Sequence, residues 1–212
     1  MPSIETLITF ISISTFLCFL PGPDNLFILS QSAINGRKAG ILITIGLCIG
    51  LAIHISLVSL GIATILRENA VAFGVIRIFG IIYLTYLAWG AFKAKPTFIQ
   101  GSSYHFHDTK KLIGKGILMN LSNPKIIVFF LAFLPQFTNK STNIISVSLQ
   151  SLYLGVIFSI ITFIVFSIIS YLSGYLSEVI SHKPEIQNIL NKITALIFVI
   201  LAINLFISGG FA

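Results

Sequence analysis

Apolar residues in this chain come in long runs, each closed by lysine, arginine or an acid, and nowhere in the steady one-in-two alternation of a half-buried strand. A hydrocarbon layer of about 30 Å takes about 20 helical residues to cross, so the runs can be counted as candidate spans. Six emerge: about Ile4 to Ile34 with Asp24 inside it, about Ala39 to Leu66, about Ala70 to Phe92 with Arg77 near its start, about Gly116 to Thr138 with Lys125 inside it, about Asn143 to Ser177, and about Ile193 to Ser208. Membrane β-barrel strands alternate over about ten residues, and these runs do not, so the expectation is an all-α membrane protein.

Composition narrows the picture further. Of 212 residues 56% are hydrophobic and 9% charged, against about 25% charged in soluble domains, so the chain cannot cover a water-facing surface. Disorder needs low hydrophobicity, and nucleic-acid binding needs a clustered basic face; both are excluded. The formal charge of +7 matters through its position. Links after the first, third and fifth runs carry Arg37, Lys38, Lys93, Lys95, Lys110, Lys111, Lys115, Lys183 and Lys192, whereas the other side carries Arg67, Lys140 and Arg77. The positive-inside rule makes the first group cytoplasmic and puts both termini outside. Arg77 lies about two turns into its run, where it can snorkel to the outer interface. No lysine or arginine precedes the first run, which also outlasts a signal-peptide core, so it reads as a span.

The link at about 93–115 divides a single integral membrane domain, residues 1–212, into repeats of about 1–95 and 116–212. Three spans per half force opposite orientations, the topology of an inverted repeat, and Pro23-Asp24 and Pro124-Lys125 fall at matching places. His105, His107 and Asp108 in the link read as a solvated connector rather than a metal site.

Those two places carry the chemistry. Leu20-Pro21-Gly22-Pro23-Asp24-Asn25 and Met119-Asn120-Leu121-Ser122-Asn123-Pro124-Lys125 each interrupt an apolar run with proline, which lacks an N–H and clashes with the carbonyl one turn back. Spans one and four are therefore expected to be broken, with freed backbone groups buried in protein or lining a wet cavity. Counting to flanking charges sets Asp24 and Lys125 about 20 and about 15 Å deep, near mid-membrane. An ionised group there costs about 2.5 to 3.5 kcal/mol on insertion scales. Mutual neutralisation is one reading, yet a buried ion pair seldom outperforms apolar packing. The other reading is a site: Lys125 and the N-terminal ends of the resumed helices for a carboxylate, Asp24 for an ammonium, and the amides of Asn25, Asn120 and Asn123. Such a site complements a small zwitterion, an amino acid above all. If Asp24 takes either a proton or the substrate ammonium, exchange becomes obligatory.

The remaining polar residues add less. His54 is a candidate relay or a satisfied helix histidine; Gly46 and Gly50 mark close helix approach within or between chains, which leaves a homo-oligomer open. Cys18 and Cys48 read as small buried hydrophobes, the serines of the fifth run as bonded to their own helix, and Pro135-Gln136 as a helix stop. A divalent-metal carrier or channel using Cys18, Asp24, Cys48 and His54 is the alternative function. No serine, histidine and acid arrangement or zinc motif suggests an enzyme.

At these residues the chain resembles the LysE/RhtB superfamily of amino-acid exporters, which handle lysine, homoserine, threonine and leucine. The likeness runs through Pro21-Gly22-Pro23-Asp24-Asn25, Asn35-Gly36-Arg37-Lys38-Ala39-Gly40, Gly80-Ile81-Ile82-Tyr83-Leu84 and Asn123-Pro124-Lys125 with Phe129-Phe130-Leu131-Ala132-Phe133-Leu134-Pro135-Gln136-Phe137. It implies a bacterial inner-membrane secondary transporter without cofactor, driven by protons, with Asp24, Asn25, Asn123 and Lys125 at its site.

Overall fold

All six apolar runs form helix, and two of them are broken, in a computed structural model that describes residues 2–68, 70–94, 108–138, 144–175 and 184–207. The first run is α1, Ile4–Phe19, and α2, Pro23–Asn35, bent by 57° at the prolines. Ser3 caps α1, its Oγ accepting from Thr6 N at 3.1 Å. Gly36, at φ 82°, lets the chain leave α2 in a conformation that favours glycine. Then come α3, Arg37–Glu68, and α4, Ala70–Lys93. The fourth run is α5, Thr109–Leu121, and α6, Pro124–Val128, which winds on as a π-helical turn, Phe129–Phe133, and a 3-10 turn, Leu134–Phe137; its two arms bend by 54°. The last two are α7, Ile144–Tyr171, and α8, Pro184–Ile207. Four helices are long and apolar enough to cross a membrane alone, and each bent pair passes as one further span. The protein is an all-helical, multi-pass membrane protein with six spans.

Two boundaries differ from the sequence reading. The fourth span starts at Thr109 rather than Gly116, and the sixth at Pro184 rather than Ile193. Lysines end an apolar run without ending a helix: Lys110, Lys111 and Lys115 ride on α5, whose first turn is capped by Asp108 accepting from Lys110 N at 2.9 Å. Asp108 is thus a capping residue, while His105 and His107 lie outside the described residues. Pro135-Gln136 does mark a helix end, reached through π and 3-10 turns that no residue pattern announced.

Contact registers fix the helix directions. Gly46 faces Ile113 and Gly116, and Gly50 faces Asn120, so α3 and α5 run parallel. Along α7 the order reverses: Gly40 meets Ser170, Cys48 Sγ meets Ser159 O, Ile55 meets Gly155, and Ser59 O accepts from Ser148 Oγ at 2.8 Å. Gly80 beside Leu205 and Asn191 Nδ2 donating to Ala94 O at 3.3 Å make α4 and α8 antiparallel. Spans two and three therefore lie antiparallel to spans five and six, the relation an inverted repeat requires. Ile43, Leu47 and Leu51 on α3 are fully buried at the centre, whereas Phe79, Ile82, Tyr86 and Phe206 on α4 and α8 lie exposed, as a bilayer permits.

The Gly46 and Gly50 step is spent inside the chain, on α5, not between chains. A methyl at Gly46 would run into the carbonyl of Ile113, backbone that cannot step aside. Gly46→Leu should therefore destabilise by about 1–3 kcal/mol, seen as a lower melting temperature in detergent, while Gly114→Leu, at a position with nothing within 4 Å, should melt like the parent.

Candidate functional site

A proline removes the N–H that would serve the carbonyl four residues earlier, so the orphans at each break can be named from the sequence. Pro21 frees the Leu17 carbonyl, and the bend after it frees that of Cys18. Pro124 frees the Asn120 carbonyl. Each has been taken up by a side chain. Lys125 Nζ approaches Leu17 O at 3.5 Å, Asn25 Nδ2 donates to Cys18 O at 2.7 Å, and His54 Nε2 lies 3.4 Å from Asn120 O, which also accepts from Asn123 N at 3.0 Å. A carbonyl only accepts, so His54 carries its proton on Nε2 in this contact.

The two breaks share one local design. In each, a residue in extended conformation precedes a proline in the first turn, and a charged residue follows: Gly22-Pro23-Asp24 opens α2 and Asn123-Pro124-Lys125 opens α6. Asp24 sits well there, since a helix start favours an anion. Lys125 does not, and its ammonium instead crosses to the carbonyl end of α1, where a cation is favoured. Gly22 makes room: a Cβ there would lie 3.3 Å from Lys125 Nζ.

Asn123 ties the halves together. Its Oδ1 caps α6 by accepting from Lys125 N at 3.0 Å, and its Nδ2 donates to Asp24 Oδ2 at 2.5 Å. The acid and the lysine thus face one shared junction, with no direct ion pair between them. Asp24, Asn25, Asn120, Asn123 and Lys125 are all buried, none more than 8% exposed. Three acceptor oxygens there, Asp24 Oδ1, Asn25 Oδ1 and Asn120 Oδ1, have no hydrogen-bond partner. A buried acceptor left unmade costs about 1–3 kcal/mol, so Asp24 Oδ1 and Asn25 Oδ1 beside the first break, and Asn120 Oδ1 facing Gly50 of α3, each call for a donor.

Every residue the sequence singled out at the breaks is therefore brought together. At the start of α6 the Lys125 N–H is already taken by Asn123 Oδ1, which leaves the Lys125 ammonium as the cation of the junction. Sequence reasoning missed two neighbours. Thr162 Oγ1 lies 3.4 Å from Cys18 Sγ, tying α1 to α7. Phe10, Phe129, Phe133, Phe137 and Phe158 pack ring on ring beside the junction, with centroids 4.8 Å apart for Phe129 and Phe158 and 5.2 Å for Phe10 and Phe137. The aromatic run after Lys125 was the available signal, but its partners Phe10 and Phe158 are distant in sequence.

One further expectation is corrected and the alternative function finds no support. The α7 serines do not all bond to their own helix: Ser170 Oγ donates to Phe166 O at 2.8 Å, Ser148 reaches α3, and Ser167 Oγ is buried without a partner. Cys18, Asp24, Cys48 and His54 do not gather into a metal site, and among the described residues no group of three or more His, Cys, Asp or Glu does so. Both cysteines are free thiols.

Asn123→Ala should lose a cap and strand Asp24 Oδ2, a combined cost of about 2–4 kcal/mol. Asn123→Ser should restore the cap without reaching Asp24 and without adding a charge, so thermal unfolding should rank the parent first, serine second and alanine last.

The chain matches the family described as LysE type translocator over residues 15–209. It is 26% identical over 195 residues to a leucine efflux protein of Enterobacter sp. (strain 638), covering 90% of both chains. It is 29% identical over 197 residues to a leucine efflux protein of Salmonella typhimurium, again covering 90% of both. It is also 26% identical over 204 residues to the uncharacterized membrane protein YrhP of Bacillus subtilis, covering 92% of this chain and 95% of that one. No solved structure matches.

Proposed function

The chain belongs to the LysE type translocator family, and on that premise we propose that it exports an amino acid or close derivative across a bacterial inner membrane in exchange for protons. The observation that carries the reading is the Asp24 carboxylate, buried with Oδ1 unpartnered at the junction that also holds Lys125. An ammonium needs acceptors, and Asp24 Oδ1 and Asn25 Oδ1 beside the first break have no partner; a carboxylate needs a cation, and Lys125 has a long contact to Leu17 O. A zwitterion supplies both.

The mechanism follows from competition at Asp24. Facing the cytoplasm, the site takes substrate, the ammonium displacing a proton from Asp24. Facing out, it releases substrate and is protonated. A proton crossing 100 mV releases about 2.3 kcal/mol, which sustains roughly a fifty-fold outward gradient. Burial of all five site residues supports taking this conformation as a closed one between these two. The phenylalanines on the α1 N-terminal side of the breaks are the outer closure in this scheme, and the bends between α1 and α2 and between α5 and α6 are its hinges. His54, on the Asn120 carbonyl, is the candidate relay. The distribution of lysine and arginine supports both termini outside, and the two halves are the moving repeats in this scheme.

Counterflow tests this directly. Proteoliposomes loaded with one unlabelled amino acid after another should accelerate uptake of the labelled counterpart for at least one of them, with protons moving oppositely. Absence of exchange for the whole set of zwitterions, with protein shown folded and inserted, defeats the proposal. Comparing the medium of cells with and without the protein then names the compound.

A further inference from the structure

The seam between α3 and α7 carries two hollows on the outside of the bundle, away from the breaks. One, of about 420 Å³, is lined by Arg37, Ile41, Ser167, Ile168, Tyr171 and Leu172. The other, of about 450 Å³, begins further along the same seam and runs from Cys48 to Ser56 on α3 and from Phe163 to Leu152 on α7. From Arg37 to Cys48 the helical rise is about 16 Å, the depth of one leaflet of a bilayer about 30 Å thick. At the Arg37 end the guanidinium lies over the Tyr171 ring, 4.0 Å from its centroid. Face stacking holds the plane and leaves the N–H edges to fork a phosphate. Lys38 is exposed beside it, and Ser167 adds a hydroxyl without a partner.

We propose that this seam binds one anionic phospholipid, its phosphate on Arg37 and one acyl chain laid along α3 and α7 to the hollow at Cys48 and Phe163. A cation beside one apolar hollow, with a second hollow starting about one leaflet depth further along the same seam, is complementary to that molecule. Free phosphate would use only the head of the site, and a zwitterionic lipid would bring its own cation against Arg37. Because α3 packs on both α7 and the arm of the broken fourth span, a lipid seated here touches a helix on which the breaks lean.

The test is native mass spectrometry of the full chain released from mixed vesicles of phosphatidylglycerol and phosphatidylethanolamine, with melting temperatures recorded in parallel. The parent should retain phosphatidylglycerol about fivefold over phosphatidylethanolamine, the preference of one cation for an anionic lipid. Arg37→Gln should remove that preference, Ile160→Trp should reduce retention of both lipids by filling the second hollow, and inorganic phosphate alone should not raise the melting temperature. Equal retention of the two lipids by the parent overturns the proposal. So does unchanged retention in both variants, stabilisation by phosphate alone, or cross-linking that shows a second copy of the chain seated on the seam.

Discussion

Asp24→Asn still inserts and folds, melting somewhat below the parent because Lys125 loses its counter-charge, but it loses proton-driven efflux. The asparagine keeps the shape of the side chain and can still accept from Asn123 Nδ2 through its one carbonyl oxygen, so the junction between the breaks survives. What it cannot do is hold a negative charge or exchange a proton. A hydrogen bond to a charged group contributes about 1.5–3 kcal/mol, so substrate should bind about ten- to a hundred-fold more weakly through loss of the ammonium partner alone. Coupling should vanish outright, because nothing at the site can then be occupied alternately by proton and ammonium. In proteoliposomes with an imposed pH gradient, the parent should empty its substrate faster than the leak and the variant should not. Full gradient-driven export by Asp24→Asn would defeat the mechanism.

The breaks were legible because proline acts through a fixed rule. Pro21 and Pro124 identify Leu17 and Asn120 as carbonyls without an intrahelical donor, and both carbonyls have found side chains. The identity of those side chains was not legible. Whether Lys125 bonds Asp24 directly was left open by the sequence; it approaches the end of α1, and Asn123 bonds the acid. Spacing along the chain gives depth, and it cannot give the rotation of one broken helix against another. The same gap explains the phenylalanines: the run after Lys125 announces aromatic density, while Phe10 and Phe158 join it only through folding. Span existence followed from apolar length, and span ends did not, because Lys110, Lys111 and Lys115 are as much at home on the emerging turns of α5 as in a loop.

The position of Lys125 also separates its two roles by experiment. Lys125→Met keeps most of the side-chain volume while removing the ammonium, so it strands Leu17 O at about 1–3 kcal/mol and leaves Asp24 without a nearby cation. The variant should melt lower than the parent and should lose counterflow, since the substrate carboxylate has no other cation at the junction. A purely structural lysine predicts something different: combining Lys125→Met with Asp24→Asn, which removes the uncompensated acid, should recover both stability and transport. The site reading expects the double variant to regain part of the lost melting temperature, by the coupling between the two charges, while counterflow stays absent. Stability responds to whether the two charges balance each other, whereas transport responds to whether each is there to meet its half of the substrate. Recovered counterflow in the double variant would show that the pair only holds the broken helices together.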